Sequence, residues 1–150
     1  MRIAIASDHA ALALKSALAD HLRAGGHDVA DLGPHDEASV DYPEYGYRLA
    51  AAIADGSAER GIALCGSGIG ISIAVNRNPS ARAALVSEPL SARLAREHND
   101  ANVIALGARL IGIEMAKACI DAFLSTDFGS DRHQRRVDKL SNPLTTKEPA

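Results

Sequence analysis

Ala63-Leu64-Cys65-Gly66-Ser67-Gly68-Ile69-Gly70-Ile71-Ser72 is the stretch from which the rest of the chain can be read. Gly61 to Leu64 form the apolar run of a buried strand, and Ile71 to Val75 read as the first turns of a helix. Between them stand a thiol, a hydroxyl and three alternate glycines. Positions without side chains between a strand end and a helix start let backbone N–H groups converge on an anion. A helix N-terminus also favours a thiolate nearby, so Cys65 can serve as a proton acceptor. The glycines at 66, 68 and 70 do not match the dinucleotide fingerprint, and no Gly-Lys-Ser/Thr follows as in a Walker loop. Two readings therefore stand on spacing alone: an anion cradle with a base on its rim, or a tight turn with no ligand in which Cys65 is a small apolar filler.

Outward from that turn the chain alternates regularly. Strands are expected at Arg2 to Ala6, His27 to Leu32, Arg60 to Leu64, Arg82 to Val86 and Asn102 to Leu106. Helices are expected after a Ser7 or Asp8 cap to Gly25-Gly26, from Tyr42-Pro43 to Ala54, and from the glycine turn to Val75. Further helices are expected from Pro89 to about His98, from Ile111 to Leu124, and over Asp131 to Leu140. Five such alternations in 150 residues, with no repeat or linker, predict one α/β domain over 1–150. It would be a three-layer sandwich on a five-stranded parallel sheet, with 141–150 as a frayed tail. Ligands of such sheets bind beyond the carboxyl ends of the strands. That places Ser7-Asp8-His9, Leu32-Gly33, Cys65-Gly66-Ser67, Ser87-Glu88 and Gly107-Ala108-Arg109 on one edge.

Composition narrows the function. Apolar residues make up 47% of the chain but aromatics only 3%, which leaves no platform for stacking nucleic-acid bases. A formal charge of -3 argues against a nucleic-acid surface over the whole molecule. The apolar start, Ile3 to Ala6, is too short for a signal peptide, and no run approaches a membrane span. Cys65 and Cys119 have no paired spacing, so a reduced cytoplasmic setting without a disulfide is expected. His9, His98 and His133 have no metal-ligand spacing, and no metal is expected.

Each polar candidate has a plain alternative. Asp8 can be only a helix cap, His9 a surface imidazole, His98 a C-terminal cap and Tyr42 the fixed entrance to its helix. Arg132 and Arg136, four apart, share a helix face, where they are either solvated or hold an anion. Together they fit one reaction class. Isomerising a sugar phosphate needs an anion site, ring opening, and a proton shuttle between C1 and C2 through an enediolate.

The ordered motifs Ser7-Asp8-His9, Asp41-Tyr42-Pro43, Cys65 to Gly70, Ser87-Glu88-Pro89, His98-Asn99-Asp100-Ala101-Asn102-Val103 and Arg132-His133-Gln134-Arg135-Arg136-Val137 resemble the type B ribose-5-phosphate isomerase family, from Met1 to about Leu140. That family also includes galactose-6-phosphate isomerase subunits. The resemblance implies a Rossmann-like or flavodoxin-like fold. It implies a homodimer with shared active sites (a tetramer being the alternative), a small-molecule sugar phosphate as substrate, and no cofactor. By motif, Cys65 would move the proton, Ser67 would assist at the oxygens, and the amides of Gly66, Ser67, Gly68, Ile69 and Gly70 would hold the enediolate. Asp8 and His98 would open the ring, Tyr42 and Asn99 would line the sugar, and His9, Arg109, Arg132 and Arg136 would bind phosphate. One branch of the family has a glutamate base six positions after the cysteine; here Ile71 stands there. Ala11 and Asp131 stand where many members have glycine, and Asp131 would weaken the field of Arg132. The substrate expected is ribose 5-phosphate. The alternatives are a six-carbon sugar phosphate, such as allose 6-phosphate or galactose 6-phosphate, and a non-catalytic phosphate-binding domain.

Overall fold

The computed structural model describes residues 1–142. Nearly all of the expected frayed tail lies outside them. Strands β1 (Arg2–Ser7), β2 (Asp28–Asp31), β3 (Arg60–Cys65), β4 (Ala83–Leu85) and β5 (Val103–Gly107) form one parallel sheet in the order β2-β1-β3-β5-β4. The helices are α1 (Leu12–Ala24), α2 (Tyr42–Ala54), α3 (Ile69–Val75), α4 (Pro89–Asn99), α5 (Ile113–Leu124) and α6 (Gln134–Ser141). This is the expected three-layer, Rossmann-like sandwich. The last two strands are interchanged relative to a simple flavodoxin-like order. None of the described helices is long and apolar enough to cross a membrane.

Side-chain alternation along the strands assigns the two faces different depths. Ile3, Ile5, Ile62, Leu64, Ile104 and Leu106 pack on one side against Leu18, Leu22, Ile120 and Phe123. Ala4, Ala6, Ala63 and Ala105 point the other way, toward Tyr45, Leu49, Ile71 and Val75. The small side chains let α2 and α3 sit close to the sheet and to each other. Burying a leucine or isoleucine in the first layer is worth roughly 2–5 kcal/mol against alanine, so Ile62→Ala would be among the costliest single changes there.

Several boundaries shift by one to three residues from expectation, and two of the shifts have a local reason. Asp8 does not cap α1; its carboxylate accepts the N–H of Ala10 at 3.0 Å and caps a 3-10 turn over His9–Ala11. β4 is shorter than expected at its start, because the amide of Arg82 is held by Asn102 Oδ1 at 2.7 Å rather than by a neighbouring strand. Helix α4 begins as expected with Pro89 in its first turn. The Glu88 carboxylate accepts the N–H groups of Leu90 and Ser91 at 2.6 and 2.7 Å. Hydrogen bonding, chiefly from Ser91, holds that carboxyl below its usual range.

Candidate active site

The chain leaves β1 toward β2 on one side of the sheet, while β3 lies on the other side of β1. Such a reversal opens a crevice between the carboxyl ends of the two strands. Asp8 follows β1 and Cys65 ends β3, so both stand at that crevice. A cleft of about 650 Å³ opens there, lined among others by Asp8, His9, Tyr42, Cys65, Ser67 and Arg109. That is ample for a phosphorylated sugar.

The glycine turn is built around sulfur. Cys65 is 4% exposed, and its Sγ accepts the N–H of Gly68 at 3.0 Å, while Ser67 Oγ accepts the N–H of Ile69 at 3.2 Å. Gly68 adopts φ +76, which ordinary residues avoid, and a β-carbon there would stand 2.7 Å from Leu85 and 2.8 Å from the Leu106 carbonyl carbon. The sharp bend is thus tied to glycine twice over, by torsion and by space. Two of the five amides expected to face an oxyanion, those of Gly68 and Ile69, are directed instead at the thiol and the hydroxyl. Ile71 is fully buried in the core behind the turn and carries no ionisable group, so this chain has no second base at that position.

The rest of the cleft is positioned by loops. His9 Nδ1 accepts the N–H of Val40 at 3.2 Å, which leaves Nε2–H free to donate. The Arg109 side chain runs over Gly66, with Cδ and Cζ 3.4 Å from where a β-carbon would lie. The Gly33–Asp41 connection that carries Val40 and leads to Tyr42 is anchored from below. Lys15, 1% exposed, donates to Asp31 Oδ1 at 2.5 Å and to the Pro34 carbonyl at 2.6 Å.

The remaining expected residues are not in this cleft. Helices of a parallel α/β sheet run back against the strands, so the end of α4 carries His98 and Asn99 to the opposite, amino edge. Asn99 lines a separate cavity of about 400 Å³ there with Asn76, Asn78 and Arg82. The His98 ring stacks on His133, with centroids 4.4 Å apart and planes at 17°. Arg132 Nε–H donates to His133 Nε2 at 3.4 Å, and Arg136 lies one turn further along. Within one chain, then, Asp8, His9, Tyr42, Cys65, Ser67, Gly66 to Gly70 and Arg109 come together. His98, Asn99, Arg132 and Arg136 form a second group at the other end. Asp131, expected to weaken Arg132, makes no ion pair among the described residues.

The cleft also uses residues that the motifs did not single out. Ile73 and Leu110 line it and are 58% and 66% exposed, beside the half-exposed Ile69. Ile69 and Ile73 are four apart on one helix face, a pattern visible in the sequence; Leu110 follows Arg109 with no such signal. Among the described residues no group of three or more His, Cys, Asp or Glu side chains could hold a metal ion.

Comparison with known proteins follows the same outline. A family model described as Ribose/Galactose Isomerase matches residues 3–140. The chain is 43% identical over 140 residues to ribose-5-phosphate isomerase B of Escherichia coli (strain K12), covering 93% of this chain and 94% of that protein. It is 44% identical over 142 residues to the D-erythrulose-4-phosphate isomerase of Pectobacterium atrosepticum, covering 93% of each. The solved ribose-5-phosphate isomerase B of Clostridium thermocellum superposes with a TM-score of 0.93 at 45% identity, covering 94% of this chain and 95% of that one.

Proposed function

Because the chain belongs to the ribose/galactose isomerase family, and is therefore a sugar-phosphate isomerase, we propose that it interconverts ribose 5-phosphate and ribulose 5-phosphate with Cys65 as the base. The observation that carries this reading is the Cys65 sulfur, 3.0 Å from the Gly68 N–H on the wall of a cleft it shares with Asp8 and Ser67. An acid donates to the ring oxygen while a base draws the proton from the C1 hydroxyl, and the chain form opens. The Cys65 thiolate then removes the proton on C2, the charge spreads over the enediolate oxygens, and the thiol returns the proton to C1. The Ser67 hydroxyl moves protons between O1 and O2, and the amides of the turn that remain free face the developing oxyanion.

The same reading makes the working unit a homodimer. One chain alone offers the cleft Arg109 as its cation and the His9 Nε2–H as a donor, while Arg132, Arg136 and the candidate ring-opening acid His98 lie at the far edge. Exposed Ile69, Ile73 and Leu110 around the mouth form an apolar rim of the kind a second copy covers. Docking the arginine end of one chain on the cleft of another supplies each site with His98, Asn99, Arg132 and Arg136. The free thiols Cys65 and Cys119 favour the cytoplasm as its setting.

A second reading, a four-carbon sugar phosphate, is favoured by the 44% identity to the D-erythrulose-4-phosphate isomerase. The test is turnover of ribose 5-phosphate, erythrulose 4-phosphate and allose 6-phosphate by one preparation. A kcat/KM highest for ribose 5-phosphate supports the first reading; preference for either other sugar replaces it.

A further inference from the structure

His133 is the one buried histidine of the arginine end, 8% exposed, and the reaction as described leaves it without a task. It is held on three sides. Its ring lies flat on that of His98, its Nε2 accepts from Arg132, and Gly129 beside it is tied to α4 by an N–H to the Glu97 carbonyl at 2.8 Å. We propose that His133 is a positioning residue that fixes the ring of His98 and links the charge of the stacked pair to occupation of Arg132 and Arg136 by the substrate phosphate. This rests on the reading that those two arginines hold the phosphate.

The charges facing the stack set the direction of the effect. Two imidazoles 4.4 Å apart repel when both are protonated, so a proton on one ring disfavours a second on the other. Because His133 Nε2 receives the Arg132 N–H, His133 is the neutral partner with its own proton on Nδ1, and the shared charge falls on His98. On the tail, Arg132 and Arg136 oppose that charge. On α4, Glu97 Oε1 lies 3.9 Å from His98 Nε2 and favours it, but Glu97 Oε2 is already paired with Arg93 at 2.9 Å. Arg96 does not face the stack; it is turned to Asp100 and the Ala101 carbonyl. Burial first, then His98, Arg132 and Arg136, hold His133 below the ordinary imidazole value of 6.5. A dianion on the two arginines offsets the opposing field and so favours a positive charge on the stacked pair.

Sulfate is the suitable probe, because it is a dianion that does not itself titrate near neutrality. Binding heats of sulfate to the full-length protein, measured near neutral pH in buffers of different ionisation enthalpy, report protons taken up. The expected result is net proton uptake by the wild type, lost in His98→Asn while sulfate still binds. His133→Phe keeps a flat ring but no acceptor nitrogen. It should reduce uptake at least about twofold and lower kcat roughly tenfold, with KM for the sugar phosphate within about twofold of wild type. Absence of proton uptake in the wild type, uptake unchanged in His98→Asn, or His133→Phe with unaltered uptake and kcat would each overturn the proposal. Sulfate binding unaffected by Arg136→Ala would instead remove the phosphate reading beneath it.

Discussion

The Tyr42 ring lies across the backbone of Gly70, so that a β-carbon on residue 70 would stand 2.5 Å from the phenol carbon bearing the hydroxyl. The first turn of α2 and the first turn of α3 meet at this contact to make one wall of the cleft. Gly70→Ala should leave the fold standing, because Tyr42 is 40% exposed and can swing outward, and alanine in a helix is better than glycine by about 0.5–1 kcal/mol. The cleft, however, loses its wall. Steady-state kinetics should show KM raised several-fold at nearly unchanged thermal stability.

Cys65→Ala and Arg136→Ala should separate chemistry from binding. Removing the base should lower kcat by roughly 10²–10⁴-fold with little change in KM. Removing the guanidinium should act chiefly on KM. A Cys65→Ala enzyme turning over near the wild-type rate would refute the assigned base.

A carboxylate on the apolar rim tests the shared site. Leu110→Asp, at a residue 66% exposed in the isolated chain, costs the monomer little but places a desolvated charge in the proposed contact. Sedimentation should show a smaller species for Leu110→Asp than for wild type, and activity should fall with it. A wild-type protein sedimenting as a single chain would contradict the dimer.

The Lys15–Asp31 pair predicts an asymmetry. Asp31→Asn leaves a lysine with only 2% of its side chain exposed facing a neutral amide, whereas Lys15→Met leaves a carboxylate that is still 24% exposed and can draw water. Denaturant unfolding should show a loss of about 3 kcal/mol for the first and about 1–2 kcal/mol for the second. Loss of order in the Gly33–Asp41 connection would raise KM in both.

His133 also leaves a mark on the pH dependence of stability. Its folded-state value lies below the 6.5 of the unfolded chain, so in acid the unfolded state binds more protons and stability rises with pH. The contribution is complete above that value and is lost as pH falls through the lower folded one. His133→Phe should flatten this limb of the curve, measured by denaturant midpoints between about pH 5 and 7.

Much of this protein was legible along the chain. The apolar runs of β1 and β3, the glycines after Cys65, and Pro89 behind Glu88 are local signals, and local torsion and burial obey them. The strand order β2-β1-β3-β5-β4 was not legible, because no short stretch encodes which strand lies beside which. Nor was the division of the polar residues into two groups read from the motifs. The means to read it were present, since His98 ends a helix, and a helix that returns along a parallel sheet ends at the edge opposite Cys65. Spacing along the sequence reports which residues share a turn or a face. Only packing in three dimensions decides which end of the molecule each one reaches, and it set four of the expected residues, His98, Asn99, Arg132 and Arg136, at the edge opposite the cleft.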